Sequence, residues 1–213
     1  MKPRDYQTII WDWNGTLLND VDMCVRCMNQ LLLPRNIPLL TQEKYRELFT
    51  FPVKDYYQRV GIDFEKDPFD IIGHEFMDLY FEALRTCQLQ PGVEDVLDYF
   101  RQLGLRQFVL SAMEQQSLLQ SLKDFGINHY FTACYGIDNH LASGKIERGH
   151  LMMKKHEISP ELSLMIGDTL HDLEVAKELK MDILLLANGH QNRNRLLKSG
   201  EIVMENLAEI LTL

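Results

Sequence analysis

Three aspartates, Asp12, Asp168 and Asp172, carry the chemistry legible in this chain. Asp12 ends a short apolar run, Thr8-Ile9-Ile10-Trp11, whose β-branched and aromatic residues read as a buried strand too short for a helix. The Asn14-Gly15 pair just beyond it marks a turn. A carboxylate at the carboxyl end of a central strand, followed at once by a glycine turn, occupies the place where open α/β sheets bind ligands. A second run, Leu162-Ser163-Leu164-Met165-Ile166, ends in Gly167-Asp168-Thr169, and Asp172 follows about one helical turn later. All three carboxylates can face one point. Converging there, they would repel one another and raise their own pKa values unless a cation joined them. Oxygen ligands with retained waters favour Mg²⁺ over zinc or copper.

Two single residues join this set by their positions. Ser111 closes the strand Gln107–Leu110, and Lys145 follows Ser143-Gly144 in a loop. Taken alone, Ser111 is a strand-end hydroxyl bonded to backbone and Lys145 a solvated charge. Asp172 alone is an acid favourable at a helix N-terminus. Their order along the chain gives them joint meaning.

The totals restrict the partners. A formal net charge of −9 argues against duplex nucleic acid or an anionic membrane surface. It does not argue against a phosphate ligand, because a bound cation and one lysine reverse the sign locally. No run approaches the roughly 18 apolar residues that span a bilayer, and the charged start Met1-Lys2-Pro3-Arg4-Asp5 is not a secretory leader. Cys24, Cys27, Cys87 and Cys134 therefore read as free thiols of a cytoplasmic protein. Cys24 and Cys27 have C-x-x-C spacing but fall inside a helical pattern, where packing explains them.

At 213 residues there is room for one domain plus a small inserted one. Val21, Cys24, Val25, Met28, Leu31 and Leu32 recur at helical spacing over residues 20–33, with Asp20 as N-cap and Pro34 and Pro38 as stops. Thr41 to Lys44 reads as a capping box opening a helix to about Phe49. A short helix over 53–60 ends at Gly61, and a longer one over 69–88 aligns Ile72, Phe76, Leu79, Tyr80 and Leu84. No strand signal appears between Leu18 and Gln90. Strand and helix then alternate. Helices are expected at 93–103, 115–125, 147–156 and 172–179, and strands at 107–110, 130–135, 162–166 and 182–187. A helix, an extended piece near Ile202-Val203 and a terminal helix close the chain. This order predicts an α/β, Rossmann-like parallel sheet core, residues 1–17 and 90–213, with an inserted all-helical cap over 18–89.

Asp12-Trp13-Asn14-Gly15-Thr16-Leu17, then Ser111, Lys145 and Gly167-Asp168-Thr169 with Asp172, resemble in order the four motifs of the haloacid dehalogenase-like phosphohydrolases. The branch they are most similar to is that of phosphoglycolate phosphatase and β-phosphoglucomutase, and the likeness covers nearly the whole chain, cap included. It implies a Mg²⁺-dependent phosphatase of small phosphorylated metabolites, acting as a monomer or homodimer. By this resemblance Asp12 attacks phosphorus and becomes an aspartyl phosphate. Asp12, the Asn14 backbone carbonyl and Asp168 would hold the metal, with Asp172 in support. Ser111, Ala112, Gly15 and Thr16 would cradle the phosphate, and Lys145 would neutralise charge on nucleophile and phosphate together. Arg46, Pro52 and Lys54 are the expected substrate-reading residues of the cap, with Arg59 a further cation there.

The chain departs from the family pattern at informative places. Phosphatases of the family carry a second aspartate where this sequence has Asn14, which cannot exchange a proton at neutral pH. That function is worth typically about 10²–10⁴-fold, so slow turnover is expected. Ile146-Glu147 follow Lys145 where proline is usual, and Thr50-Phe51-Pro52 replaces a glycine-containing turn. Two alternatives follow from Asn14. One is a phosphonoacetaldehyde-type carbon–phosphorus hydrolase using cap Lys54. The other is a weakened phosphate-binding or regulatory module. His171 and His190 fall beside the expected site without metal-ligand spacing, which suggests surface or supporting roles.

Overall fold

The computed structural model describes residues 5–138 and 144–212; Ser143, expected beside Lys145, lies outside them. The chain opens with β1 (Thr8–Trp11) and β2 (Leu18–Asn19). The helices α1 (Val21–Leu32), α2 (Gln42–Leu48), α3 (Val53–Val60) and α4 (Phe69–Ala83) follow, then β3 (Gln88–Leu89). Next come α5 (Val93–Gln102), β4 (Arg106–Glu114), α6 (Gln115–Asp124), β5 (Ala133–Ile137) and α7 (Lys145–His156). The chain closes with β6 (Ser163–Gly167), α8 (Leu170–Glu178), β7 (Asp182–Leu186), α9 (Arg193–Leu197) and β8 (Ile202–Met204).

Six strands form one parallel sheet in the order β5-β4-β1-β6-β7-β8, with β1 near its centre. Such a sheet needs apolar residues on both faces because helices cover both. Along β1, Ile9 and Trp11 enter one core with Val109, Leu164 and Ile166, while Ile10 enters the other with Phe108, Leu110 and Met165. The expected α/β core is present.

The helical stretch leaves and re-enters the core at one place. Leu18 and Asn19 pair antiparallel with Leu89 and Gln88, and Gln90 N donates to Leu17 O at 2.8 Å. These two-residue strands were not legible in the sequence, since two residues carry no alternation to read.

Other boundaries differ from expectation for local reasons. β4 runs past Ser111 to Glu114, with a register irregularity against β5 between Leu110 and Glu114. Residues 128–130 form a 3₁₀ turn, so β5 begins at Ala133. α4 stops at Ala83, and a 3₁₀ turn over Leu84–Thr86 follows. The chain ends in a 3₁₀ helix rather than an α-helix. Thr41 caps α2 by accepting from Lys44 N at 3.1 Å, but a lysine at that position cannot return the second bond of a capping box. Asp20 stands at the N-cap of α1 without making a side-chain cap bond. Lys145 is the first residue of α7, not a loop residue; Gly144 before it takes φ 114°. Among the described residues, no helix is long and apolar enough to cross a membrane.

Candidate active site

The parallel register of β1 with β6 sets Trp11 opposite Ile166, and Asp12 N donates to Ile166 O at 2.9 Å. Asp12 therefore emerges beside Gly167-Asp168 at the carboxyl edge of the sheet. Thr16, on the turn after β1, donates to Asp168 Oδ1 at 3.0 Å and reaches Asp12 Oδ2 at 3.4 Å. Gly15 has φ 77°, and a β-carbon there would collide with the Asp168 carboxylate, as would one at Gly189.

Asp172 is fixed by the start of α8. Its Oδ2 accepts from Thr169 N at 3.0 Å and Thr169 Oγ1 at 2.7 Å, and Thr169 Oγ1 accepts from Asp172 N in return. Oδ1 is left for Lys145, whose Nζ lies 2.6 Å from Asp172 Oδ1 and 2.6 Å from Asp12 Oδ1. One oxygen from each of Asp12, Asp168 and Asp172 falls within 4.8 Å of the others.

All four side chains are buried. Lys145 meets two of the three carboxylates, Asp12 and Asp172, while Asp168 is held by Thr16 and the His190 N–H. With all three acids ionised the cluster carries two negative charges beyond its ammonium, the charge of one divalent cation. Burial, reinforced by the neighbouring Asp172 charge, pushes the Asp12 carboxyl up to about 8 against the pull of Lys145. Asp168 is pushed up to about 6, mainly by burial. In Asp172 burial is outweighed by Lys145 and by the bonds from Thr169, which hold the carboxyl below the usual range. Lys145 is raised despite burial because Asp12 and Asp172 both face it.

A second buried charge pair stands behind the first. His190 Nε2 lies 3.2 Å from Asp20 Oδ1, its Nδ1 meets Tyr45 OH at 2.8 Å, and its backbone N–H donates to Asp168 Oδ2. Asp20 raises His190 to about 9 against burial, and His190 in turn holds the Asp20 carboxyl low. Asp20 Oδ1 also accepts from Gly15 N at 2.9 Å. The Asn14 amide donates to Asp20 Oδ2 at 2.8 Å and to Tyr80 OH at 2.6 Å. Sequence reasoning missed this pair. Asp20 read as a helix cap, and the one available signal was His190 directly following an Asn-Gly turn at a strand end.

The expected phosphate and substrate residues divide. Ala112 lines the cavity over the acids, as do Asp12, Asn14, Lys145, Asp168 and Asp172. Ser111 is buried and its Oγ accepts from Met113 N at 3.1 Å; it is not among the cavity's lining residues. The Gly15 N–H is engaged by Asp20 Oδ1 and Leu18 O, so it does not point a free donor at an anion. Arg46 donates to Gly189 O at 2.8 Å and Asn188 O at 3.0 Å, which ties α2 to the loop after β7. Lys54 lies over the rings of Phe64 and Phe69 at 5.6 and 5.9 Å. Arg46, Pro52 and Lys54 are not among the residues lining the cavity, though Phe69 beneath Lys54 is. His171 does line it, stacked on Phe51 with centroids 4.6 Å apart.

Acids at adjacent strand ends, a lysine from a later helix and a helical stretch over the cavity define a class. The chain belongs to the haloacid dehalogenase-like hydrolase family, whose profile matches residues 9–186. Among curated proteins it is 26% identical over 216 residues to a phosphoglycolate phosphatase of Nitrosococcus oceani, covering 97% of this chain and 96% of that one. A phosphoglycolate phosphatase of Pseudomonas putida is 24% identical, covering 95% of this chain and 78% of the other. In fold it is similar to a haloacid dehalogenase-like family hydrolase from Streptococcus pneumoniae, with a TM-score of 0.83 at 19% identity over 98% of both chains.

Proposed function

We propose that this protein is a Mg²⁺-dependent phosphatase of small phosphorylated metabolites with Asp12 as its nucleophile. The contact of Lys145 with both Asp12 and Asp172 carries the reading. A phosphate dianion is repelled by a carboxylate unless fixed positive charge stands at the point of attack, and Lys145 is buried there. The names of the curated relatives support phosphoester chemistry. A cytoplasmic location goes with this reading, supported by four free cysteines.

In this scheme an Asp12 oxygen attacks phosphorus and the ester P–O bond breaks, its electron pair leaving with the alcohol oxygen. Water then attacks the phosphorus of the aspartyl phosphate, and the bond to Asp12 breaks to restore the carboxylate. Both protons of that water leave on the phosphate. Lys145 holds Asp12 in line and balances charge on the phosphoryl oxygens, while Thr16 keeps Asp12 and Asp168 together. The donor set fits Mg²⁺: Asp12, Asp168 and the Asn14 carbonyl, supported by Asp172, would hold the ion, which supplies the positive charge the cluster lacks. Residues 18–89 act as a cap on a core of 1–17 and 90–213; the β2–β3 pairing at its root and the cavity enclosed below it support this division.

The test is phosphate release from a panel of phosphomonoesters with and without Mg²⁺, in the native protein and in Asp12→Asn. Release is expected to need both the ion and Asp12. Turnover that survives the substitution sinks the reading. A second reading, a phosphate-binding module that has nearly stopped turning over, is favoured by Asn14, both of whose amide hydrogens are engaged within the protein.

A further inference from the structure

The cavity above the acids is walled largely by aromatic rings. It encloses about 330 Å³, within the range of pockets that take drug-sized ligands. Asp12, Lys145 and Asp168 line its floor, and Phe49, Phe51, Tyr56, Tyr57, Phe76 and Tyr80 rise over them. The rings brace one another: Phe49 meets Tyr56 at 5.3 Å and Phe51 at 5.5 Å, and Phe76 meets Tyr57 and Tyr80 at 6.2 Å each. Among the described residues no arginine lines this space; Lys145, already shared by two aspartates, is its one lysine, and His190, which also lines it, is paired with Asp20. Asp70 and Asp78 add acidity to the wall, and His74 there is bonded to the Asp70 carbonyl.

A two-carbon leaving group ending in a carboxylate would set its charge against apolar rings, with Lys145 and His190 already committed to aspartates, and an unpaired charge is disfavoured in such a place. An aromatic ring would instead meet the walls in the edge and offset contacts such rings favour. Asn14 points the same way independently. Its amide gives both hydrogens to Asp20 and Tyr80, so nothing at that position donates a proton to a departing oxygen. A phenolic oxygen, with an ordinary pKa near 10, leaves with its electron pair unaided far more readily than an alkoxide.

We propose that the leaving group is aromatic and phenol-like: the substrate class is the aryl phosphomonoesters, with the ring lodged among Phe49, Tyr56 and Phe76. This rests on the phosphatase reading and specifies its substrate. Asp12 takes the phosphoryl group, the P–O(aryl) bond breaks, and the aryloxide leaves with the bonding pair and is protonated by solvent water.

The experiment compares kcat/KM for phenyl phosphate, benzyl phosphate and 2-phosphoglycolate with Mg²⁺, using Asp12→Asn as control. Phenyl phosphate is expected to exceed phosphoglycolate by ~10-fold or more, about the worth of burying one ring, with benzyl phosphate between them. Phe76→Ala is expected to lower the ratio of the phenyl phosphate value to the phosphoglycolate value by ~10-fold, and an unchanged ratio counts against a ring lodged there. Asp12-dependent release in which phosphoglycolate equals or beats phenyl phosphate overturns the inference and leaves the phosphatase reading intact. Absence of Asp12-dependent release from every ester overturns the phosphatase reading. In that case calorimetric titration of Asp12→Asn with Mg²⁺ decides on binding: affinity for phenyl phosphate no greater than for phosphoglycolate overturns the aromatic specificity as well.

Discussion

Asn14 lies 2.8 Å from Asp20, its amide nitrogen donating to a carboxylate that His190 already holds ionised. An aspartate in its place would face Asp20 at that distance, and two carboxylates so close cannot both ionise at neutral pH. The pair would keep a proton, which a leaving alkoxide could take. Asn14→Asp is therefore expected to raise kcat by ~10²-fold or more, and more for benzyl than for phenyl phosphate. Steady-state kinetics on the two esters checks both the gain and its order; no gain on any ester favours the binding module.

Removing Lys145 strands the carboxylates it serves. Lys145→Met is expected to cost ~3–5 kcal/mol in stability, the usual penalty for breaking a buried pair on one side. The loss should shrink at pH 5, where Asp12 can take up a proton instead. Urea denaturation at pH 5 and pH 8 measures the difference.

Without metal, the native protein should lose stability as pH rises. Asp12 and Asp168 have folded-state pKa values raised to about 8 and about 6, above the unfolded carboxyl range. Their contribution is fully present below pH ~4 and is lost as pH climbs through those values. His190, raised to about 9, acts in the same direction above its own unfolded value. Mg²⁺ should cancel this loss. At a hundred times its dissociation constant it adds ~2.7 kcal/mol, or roughly 5–10 °C in Tm for a chain of this size. Thermal scans should show a larger Mg²⁺ shift at pH 8.5 than at pH 5.5. Equal shifts, or a larger one in acid, would contradict the charge count.

Gly189→Ala tests the packing around Asp168. The added β-carbon meets the Asp168 carboxylate, held by Thr16 and by the His190 backbone. A loss of ~1–3 kcal/mol is expected, together with weaker Mg²⁺ binding. Denaturation and metal titration read the two effects separately.

The sequence exposed the site where chemistry and backbone pattern coincide. Asp12 and Asp168 each end an apolar run of strand length, and strand pairing then brings them together. The helical insertion was legible through its spacing of apolar residues, although the two-residue pairing that seals its root was not. Lys145 was found by its order in the chain, but its start of α7 depends on Gly144 turning at φ 114°, a backbone choice with little sequence signature. Arg46 and Lys54 show the limit most plainly. Their charge suggested an anionic ligand, whereas Arg46 bonds backbone carbonyls and Lys54 stacks on rings. Asp20 and His190 meet across most of the chain, and no local pattern links them.

The alternation of β1 between its two cores has a mechanical consequence for the acids. Ile10 pairs with Met165 and Trp11 with Ile166, and the side chains of β1 are shaped to two separate cores, Ile9 and Trp11 in one and Ile10 in the other. A slip of a single residue would turn every side chain of the strand to the wrong face and carry Asp12 about 3.3 Å along the sheet, out of reach of Lys145. The spacing of the reacting groups is thus guarded by hydrocarbon side chains that no substrate ever meets.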